Sequence, residues 1–180
     1  QRMKKSVMLP ATALLICVLV LSFLTAGLSG VAASKAEAEL TAKMQTILPG
    51  SETFTEEEYT GDDANIAMVY KGDNGYVIGT ATAGYAGTIR MLIGVSNDGY
   101  VTGLQVRQME ETFGLGAEAL TDWQFLAQFL RTEGDAAVGE NIDAITGATV
   151  TSKAITRCVN SAVAFVTGTD VDSGATSWGG

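Results

Sequence analysis

The sequence has no histidine, only two cysteines and only two prolines. Without histidine there is no Ser–His–Asp triad, no imidazole general base and no histidine metal ligand. Cys17 and Cys158 lie far apart in the chain. A pair so separated suggests neither a disulfide framework nor a thiolate metal site, and no metal centre is expected. Positive charge is also scarce: 11 Lys and Arg stand against 20 Asp and Glu, for a net charge of −9. Arg2, Lys4 and Lys5 are among the 11, so the rest of the chain is more acidic still. Such a chain is a poor partner for nucleic acid or for an anionic membrane surface.

What is present begins with an uncharged run over residues 7–28, long enough for the roughly 20 residues that cross a bilayer as a helix. Pro10 falls near its start, where proline is tolerated. Val31-Ala32-Ala33 would also suit signal cleavage, but the apolar stretch is longer than a signal core, so a retained anchor is expected. The basic residues before it predict a cytoplasmic N-terminus (residues 1–6) and an extracytoplasmic domain. Alanine-rich residues 34–48, with Leu40, Met44, Ile47 and Leu48 at helical spacing, predict a juxtamembrane helix ending at Pro49-Gly50. Residues 51–63 are acidic and read as a loop or weak edge, so 29–63 is helix plus linker.

Four strands are predicted next, over 66–70, 76–83, 89–95 and 100–107. Lys71-Gly72-Asp73-Asn74-Gly75 and Ser96-Asn97-Asp98-Gly99 supply two hairpin turns. Thr121-Asp122-Trp123-Gln124 suggests a capping box opening a helix to about Arg131, and a last helix is expected over 152–166. Strands first and helices later indicate an α+β domain with an antiparallel sheet and packed helices over 64–167, preceded by one transmembrane helix. A Gly/Ser/Asp-rich tail at 168–180 reads as flexible.

The most informative stretch is Asp143-Ala144-Ile145-Thr146-Gly147-Ala148-Thr149, followed by Val150-Thr151-Ser152-Lys153. Its form is Asp-x-x-Ser/Thr-Gly-Ala-Thr at a helix start. Gly147 and Ala148 let the backbone turn tightly and a bulky group come close. A helix start near Thr151 or Ser152 offers free N–H groups and the positive end of the dipole, where a phosphate on Thr149 would be well placed. For a bare Gly-Ala-Thr, an ordinary Ser/Thr-rich N-cap would be the better reading. The full pattern resembles the flavinylation motif of the FMN-binding domain found in the G subunit of Rnf complexes and the C subunit of sodium-pumping NADH:quinone reductases.

Two further segments match that family in order. Gly84-Tyr85-Ala86-Gly87 is similar to its Gly-Tyr-x-Gly segment, and Glu111-Thr112-Phe113-Gly114-Leu115-Gly116 to its Glu-Thr-Pro-Gly-Leu-Gly loop beside the flavin ring. Phe113 replaces the proline, and Met109 stands where a histidine is often found. The resemblance implies FMN joined by a phosphoester to Thr149. It also implies cofactor contacts from Asp143, Thr146, Gly147, Ala148, Thr151, Ser152, Lys153, Gly84, Tyr85, Glu111, Thr112, Gly114, Leu115 and Gly116, and no catalytic nucleophile. Asp170-Val171-Asp172-Ser173-Gly174-Ala175-Thr176 repeats the pattern with no helix after it; a second attachment at Thr176 is the minor reading beside a solvated tail.

Length and the single anchor are most like the Rnf G subunit. The resemblance therefore implies a flavin-carrying, electron-transfer subunit of an ion-translocating ferredoxin:NAD oxidoreductase in the cell membrane. Its implied partners are a membrane flavin subunit, iron–sulfur membrane subunits and a flavin transferase for maturation. Three other readings compete: a quinone-reductase C-like subunit, a stand-alone membrane-anchored flavin reductase, and a membrane-anchored binding module without redox function.

Overall fold

The computed structural model of the protein describes residues 35–85, 87–109 and 122–169. Residues 35–47 form helix α1, and a compact unit begins within it, at Lys43. Strands β1 (Phe54–Glu57), β2 (Ile66–Gly72), β3 (Gly75–Ala83), β4 (Thr88–Ser96) and β5 (Val101–Met109) come next. Helices α2 (Trp123–Ala127) and α3 (Thr149–Thr167) complete the order. The strands lie in chain order in one five-stranded antiparallel sheet. This is the expected α+β architecture, with one strand more than expected.

Both predicted hairpins form. Val69 pairs with Ile78 across the Asp73-Asn74 turn, and Val95 pairs with Val101 across the turn at Gly99, whose φ of +86° suits glycine. Alternation along β4 sends Ile89, Met91, Ile93 and Val95 to one face, where Val69, Ile78 and Val101 join them. Helix α3 packs across β3 and β4 on that face. It buries Ile155, Cys158, Val159, Ala162 and Val163, every one fully enclosed. Full burial of a Val, Ile or Met side chain contributes roughly 1.5–3 kcal/mol, so this layer dominates the stability of the domain.

The opposite face is covered at one end by the close of α1. Gly94 and Gly103 are paired across β4 and β5. A Cβ on either would come within 2.5 or 2.7 Å of the Ile47 carbonyl oxygen, which also accepts a hydrogen bond from Thr102 Oγ1 at 2.8 Å. Farther along, this face opens into a groove of about 270 Å³ between Met68, Gly79, Ala81, Arg90, Leu92 and Arg107.

Several boundaries differ from expectation. The acidic stretch read as a loop or weak edge contains the edge strand β1, which pairs with β2, so the folded unit extends N-terminal to residue 64. The Asp73 carboxylate draws this segment in by accepting from the N–H groups of Glu52 and Thr53 at 2.8 and 3.2 Å, and these bonds hold its pKa below the usual carboxylate range. Helix α2 stops at Ala127 rather than near Arg131, because the chain then turns to pair with β5. Arg131 N–H donates to the Val101 carbonyl, and Val101 N–H to that of Thr132, with Arg131 at φ +69°. Its cap is Asp122, whose carboxylate accepts from the N–H groups of Gln124 and Phe125. The anticipated transmembrane run, the Glu111–Gly116 loop and the second motif copy at Asp170–Thr176 lie outside the described residues. Among the described residues no helix is long and apolar enough to cross a membrane.

Candidate functional site

Helix α3 starts at Thr149 itself, earlier than the sequence suggested. Gly147 turns the chain at φ +81°, and the Ala148 N–H closes the turn onto the Ile145 carbonyl at 2.9 Å. Ala148 then occupies the N-cap position, with no side-chain hydrogen bond to the helix. Ser152, which could have capped, turns back instead. Its Oγ donates to the Ala148 carbonyl at 3.0 Å and accepts from the Ile145 N–H at 3.3 Å.

The result is a helix end left open. A helix has no internal acceptors for its first N–H groups. Those of Thr149, Val150 and Thr151 find none elsewhere among the described residues. No acidic side chain occupies the first turn to offset the dipole. Thr149 is exposed and its hydroxyl makes no hydrogen bond among the described residues; Lys153 is exposed one turn later. The Thr151 hydroxyl is buried without a partner. An orphaned buried hydroxyl costs roughly 1–3 kcal/mol, a second polar vacancy at the same helix start.

The segment leading into this end is held by amide side chains. Asn160 of α3 accepts from the Ala136 N–H at 3.2 Å and donates to the Ala136 carbonyl at 2.8 Å. Gln128, just after α2, accepts from the Asp143 N–H at 2.8 Å and donates to the Asp143 carbonyl at 3.3 Å. Neither contact was anticipated, since amide-to-backbone pairs 15 and 24 residues apart leave no periodic signal. Ile142 is buried between the two, while Asp143, Thr146 and Gly147 are exposed.

The Gly84–Gly87 segment lies at the end of the sheet where α3 begins. The Gly84 N–H donates to the Gly87 carbonyl at 2.7 Å, closing the β3–β4 hairpin, with Tyr85 exposed at its tip. Arg157 Nη2 donates to the Ala83 carbonyl at 3.5 Å, tying α3 to that hairpin. β5 ends at Met109, opposite Ile89 at the start of β4; Glu111, Thr112, Gly114, Leu115 and Gly116 follow it and lie outside the described residues. Cys158 is buried farther along α3, and burial pushes its thiol pKa up to about 11, so it is inert at neutral pH. Among the described residues no cluster of His, Cys, Asp and Glu could hold a metal ion.

The FMN-binding domain family matches residues 84–164, which span the hairpin, α2, the glycine turn and most of α3. The G subunit of the ion-translocating oxidoreductase complex from Methanosarcina acetivorans is 37% identical over 139 residues, covering 68% of this chain and 72% of the relative. The chain belongs to this G-subunit family. The G subunit of the Na(+)-translocating ferredoxin:NAD(+) oxidoreductase complex from Acetobacterium woodii is 43% identical over 98 residues, covering 49% of this chain and 47% of the relative. The proton-translocating counterpart from Clostridium ljungdahlii is 41% identical over 99 residues, covering 51% and 53%. The chain spans about half the length of these last two relatives.

Proposed function

We propose that the protein is the FMN-carrying electron-transfer subunit of a membrane ion-translocating ferredoxin:NAD oxidoreductase, with FMN attached by its phosphate to Thr149. The observation that carries this reading is the open start of α3, where an exposed, unbonded Thr149 hydroxyl sits beside three N–H groups that lack acceptors among the described residues. A phosphoester at Thr149 Oγ1 would bring oxygens to those donors and negative charge to the positive end of the helix dipole. Lys153 would face the same charge, and Gly147 and Ala148 leave no side-chain bulk beside it. Asp143, Thr146, Thr151, Ser152, Gly84 and Tyr85 would border the cofactor, with Glu111, Thr112, Gly114, Leu115 and Gly116 at the ring. Bound FMN supplies one- and two-electron chemistry; the protein holds it and tunes it.

Maturation would use a flavin transferase. Thr149 Oγ1 bonds to the phosphorus of the FMN half of FAD, the pyrophosphate bridge breaks, AMP leaves and the hydroxyl proton passes to the transferase. The run over 7–28 would anchor the chain with residues 1–6 in the cytoplasm and the domain outside, beside membrane flavin and iron–sulfur subunits. Residues 168–180 would form a solvated tail.

The test is a denaturing gel of the full chain made in a host with the transferase. A fluorescent flavin band that Thr149→Ala abolishes supports the reading; a band that survives moves the attachment elsewhere, Thr176 included. Protease reaching the domain from outside the cytoplasmic membrane supports the topology, and protection until lysis reverses it. Substantial turnover by this chain alone, with a physiological donor and acceptor, would favour a stand-alone reductase.

A further inference from the structure

We propose that Gln128 is a positioning residue for flavin attachment, acting through the backbone of Asp143; this rests on Thr149 being the acceptor. Gln128 follows α2, whose Phe125 is buried in the core beside Phe129, their rings edge to face with centroids 5.3 Å apart. This pair flanks Gln128 and fixes where its amide can reach. Its two bonds to Asp143 copy the pairing of a neighbouring strand: one N–H accepted at 2.8 Å, one carbonyl served at 3.3 Å. Asp143 is the first residue of the seven-residue segment. Ser152 Oγ pins the other end, through Ile145 N–H and the Ala148 carbonyl. Farther along, Ile145 packs half-buried against the core and Ala148 is buried, with the Ala148 N–H on the Ile145 carbonyl, so Gln128 is the side-chain contact that holds the segment's first residue and sets the direction from which it enters that turn.

Only an amide of this length serves both groups. Glutamate keeps the acceptor but sets a second oxygen against the Asp143 carbonyl. Methionine fills similar space and makes neither bond. The transfer step forms the Oγ1–phosphorus bond as the pyrophosphate of FAD breaks and AMP departs, with the hydroxyl proton taken by the transferase. Such an attack is sensitive to small misplacement of the attacking oxygen. Losing two solvent-exposed hydrogen bonds should instead leave the core, and hence the melting temperature, nearly unchanged.

The experiment measures initial rates of covalent flavin incorporation into the unmodified full chain, with purified flavin transferase, FAD and Mg²⁺, beside thermal melting of each acceptor. Gln128→Met should lower kcat/KM for the acceptor on the order of tenfold with little change in melting, and Gln128→Glu should fall between it and the parent. Val95→Ala, which weakens the core at the β4–β5 turn away from the amide, should lower melting and leave the rate unchanged at a temperature where it is folded. Incorporation at the parental rate in Gln128→Met overturns the inference while leaving Thr149 as the acceptor. If that variant does not fold, a parental rate in Gln128→Glu does the same. Rate losses that track melting alike in the Gln128 and Val95 variants reduce Gln128 to a structural contact. No incorporation into the parent chain overturns the assignment of Thr149, and this inference with it.

Discussion

The two ends of α3 are built on opposite rules. At the C-terminal end the backbone turn and the packing are provided for. Gly168 closes the helix in the left-handed conformation at φ +68°, and Thr167 Oγ1 donates to the Val163 carbonyl at 3.0 Å. The Phe165 ring meets Tyr59 and Tyr76 edge on, at 5.8 and 5.7 Å. At the N-terminal end the cap has no side-chain bond, three donors have no acceptor among the described residues, and one buried hydroxyl is orphaned. The same helix is thus finished where it stabilises the domain and left unfinished where it would meet a ligand. Its core-facing middle makes that tolerable, because the buried layer outweighs a few unmet polar groups.

That contrast can be broken by substitution, beginning with the largest effect. Thr149→Ala should remove all covalent flavin while leaving the unmodified protein's melting unchanged, since the side chain is exposed and unbonded; gel fluorescence and calorimetry read the two outcomes. At the other end Phe165→Ala should do the reverse. Full removal of a core Phe costs about 3–5 kcal/mol, and half-buried Phe165 should cost about 2–3 kcal/mol in chemical denaturation, with flavin incorporation intact in the folded fraction.

Cys158, midway along the helix, gives a smaller, pH-dependent effect. Its folded pKa is raised from 9.0 to about 11 by burial, so above pH 9 the unfolded chain loses the thiol proton first. Its contribution is fully present below that point and is lost as pH rises towards 11, by up to about 1.4 kcal/mol per pH unit. Denaturation curves compared with Cys158→Ala should show this slope only in the parent. The smallest effect sharpens the contrast from the open end. Thr149→Asp places a carboxylate among the free donors and should stabilise the unmodified protein by about 0.5 kcal/mol at low salt, a gain that added salt diminishes.

Much of this was legible in the sequence. Turn residues at Asp73-Asn74-Gly75 and Asn97-Asp98-Gly99 announced the hairpins, and apolar alternation announced the strands between them. The Asp143–Thr149 pattern located the open helix start. What escaped had no local signal. β1, legible only as a loop or weak edge, is short and acidic, with Thr55 and Glu56 exposed, and the segment leading into it is held by the Asp73 carboxylate from a turn 20 residues away, which the sequence does not signal. The early end of α2 follows from pairing between Arg131 and Val101, a tertiary contact that overrides helical propensity. Gln128 and Asn160 look like ordinary polar residues until the fold brings a distant backbone within reach of each amide.

The paired glycines beneath Ile47 also have a mechanical meaning. Tension arriving along the chain before Lys43 enters the sheet at β4 and β5, through a carbonyl seated on bare backbone and hydrogen-bonded to Thr102. It does not arrive at the edge strand β1, where pairing could be peeled away one bond at a time. A pull at that notch loads several strand pairings side by side, so the domain should resist a force applied through the chain before it better than its short, acidic edge would suggest.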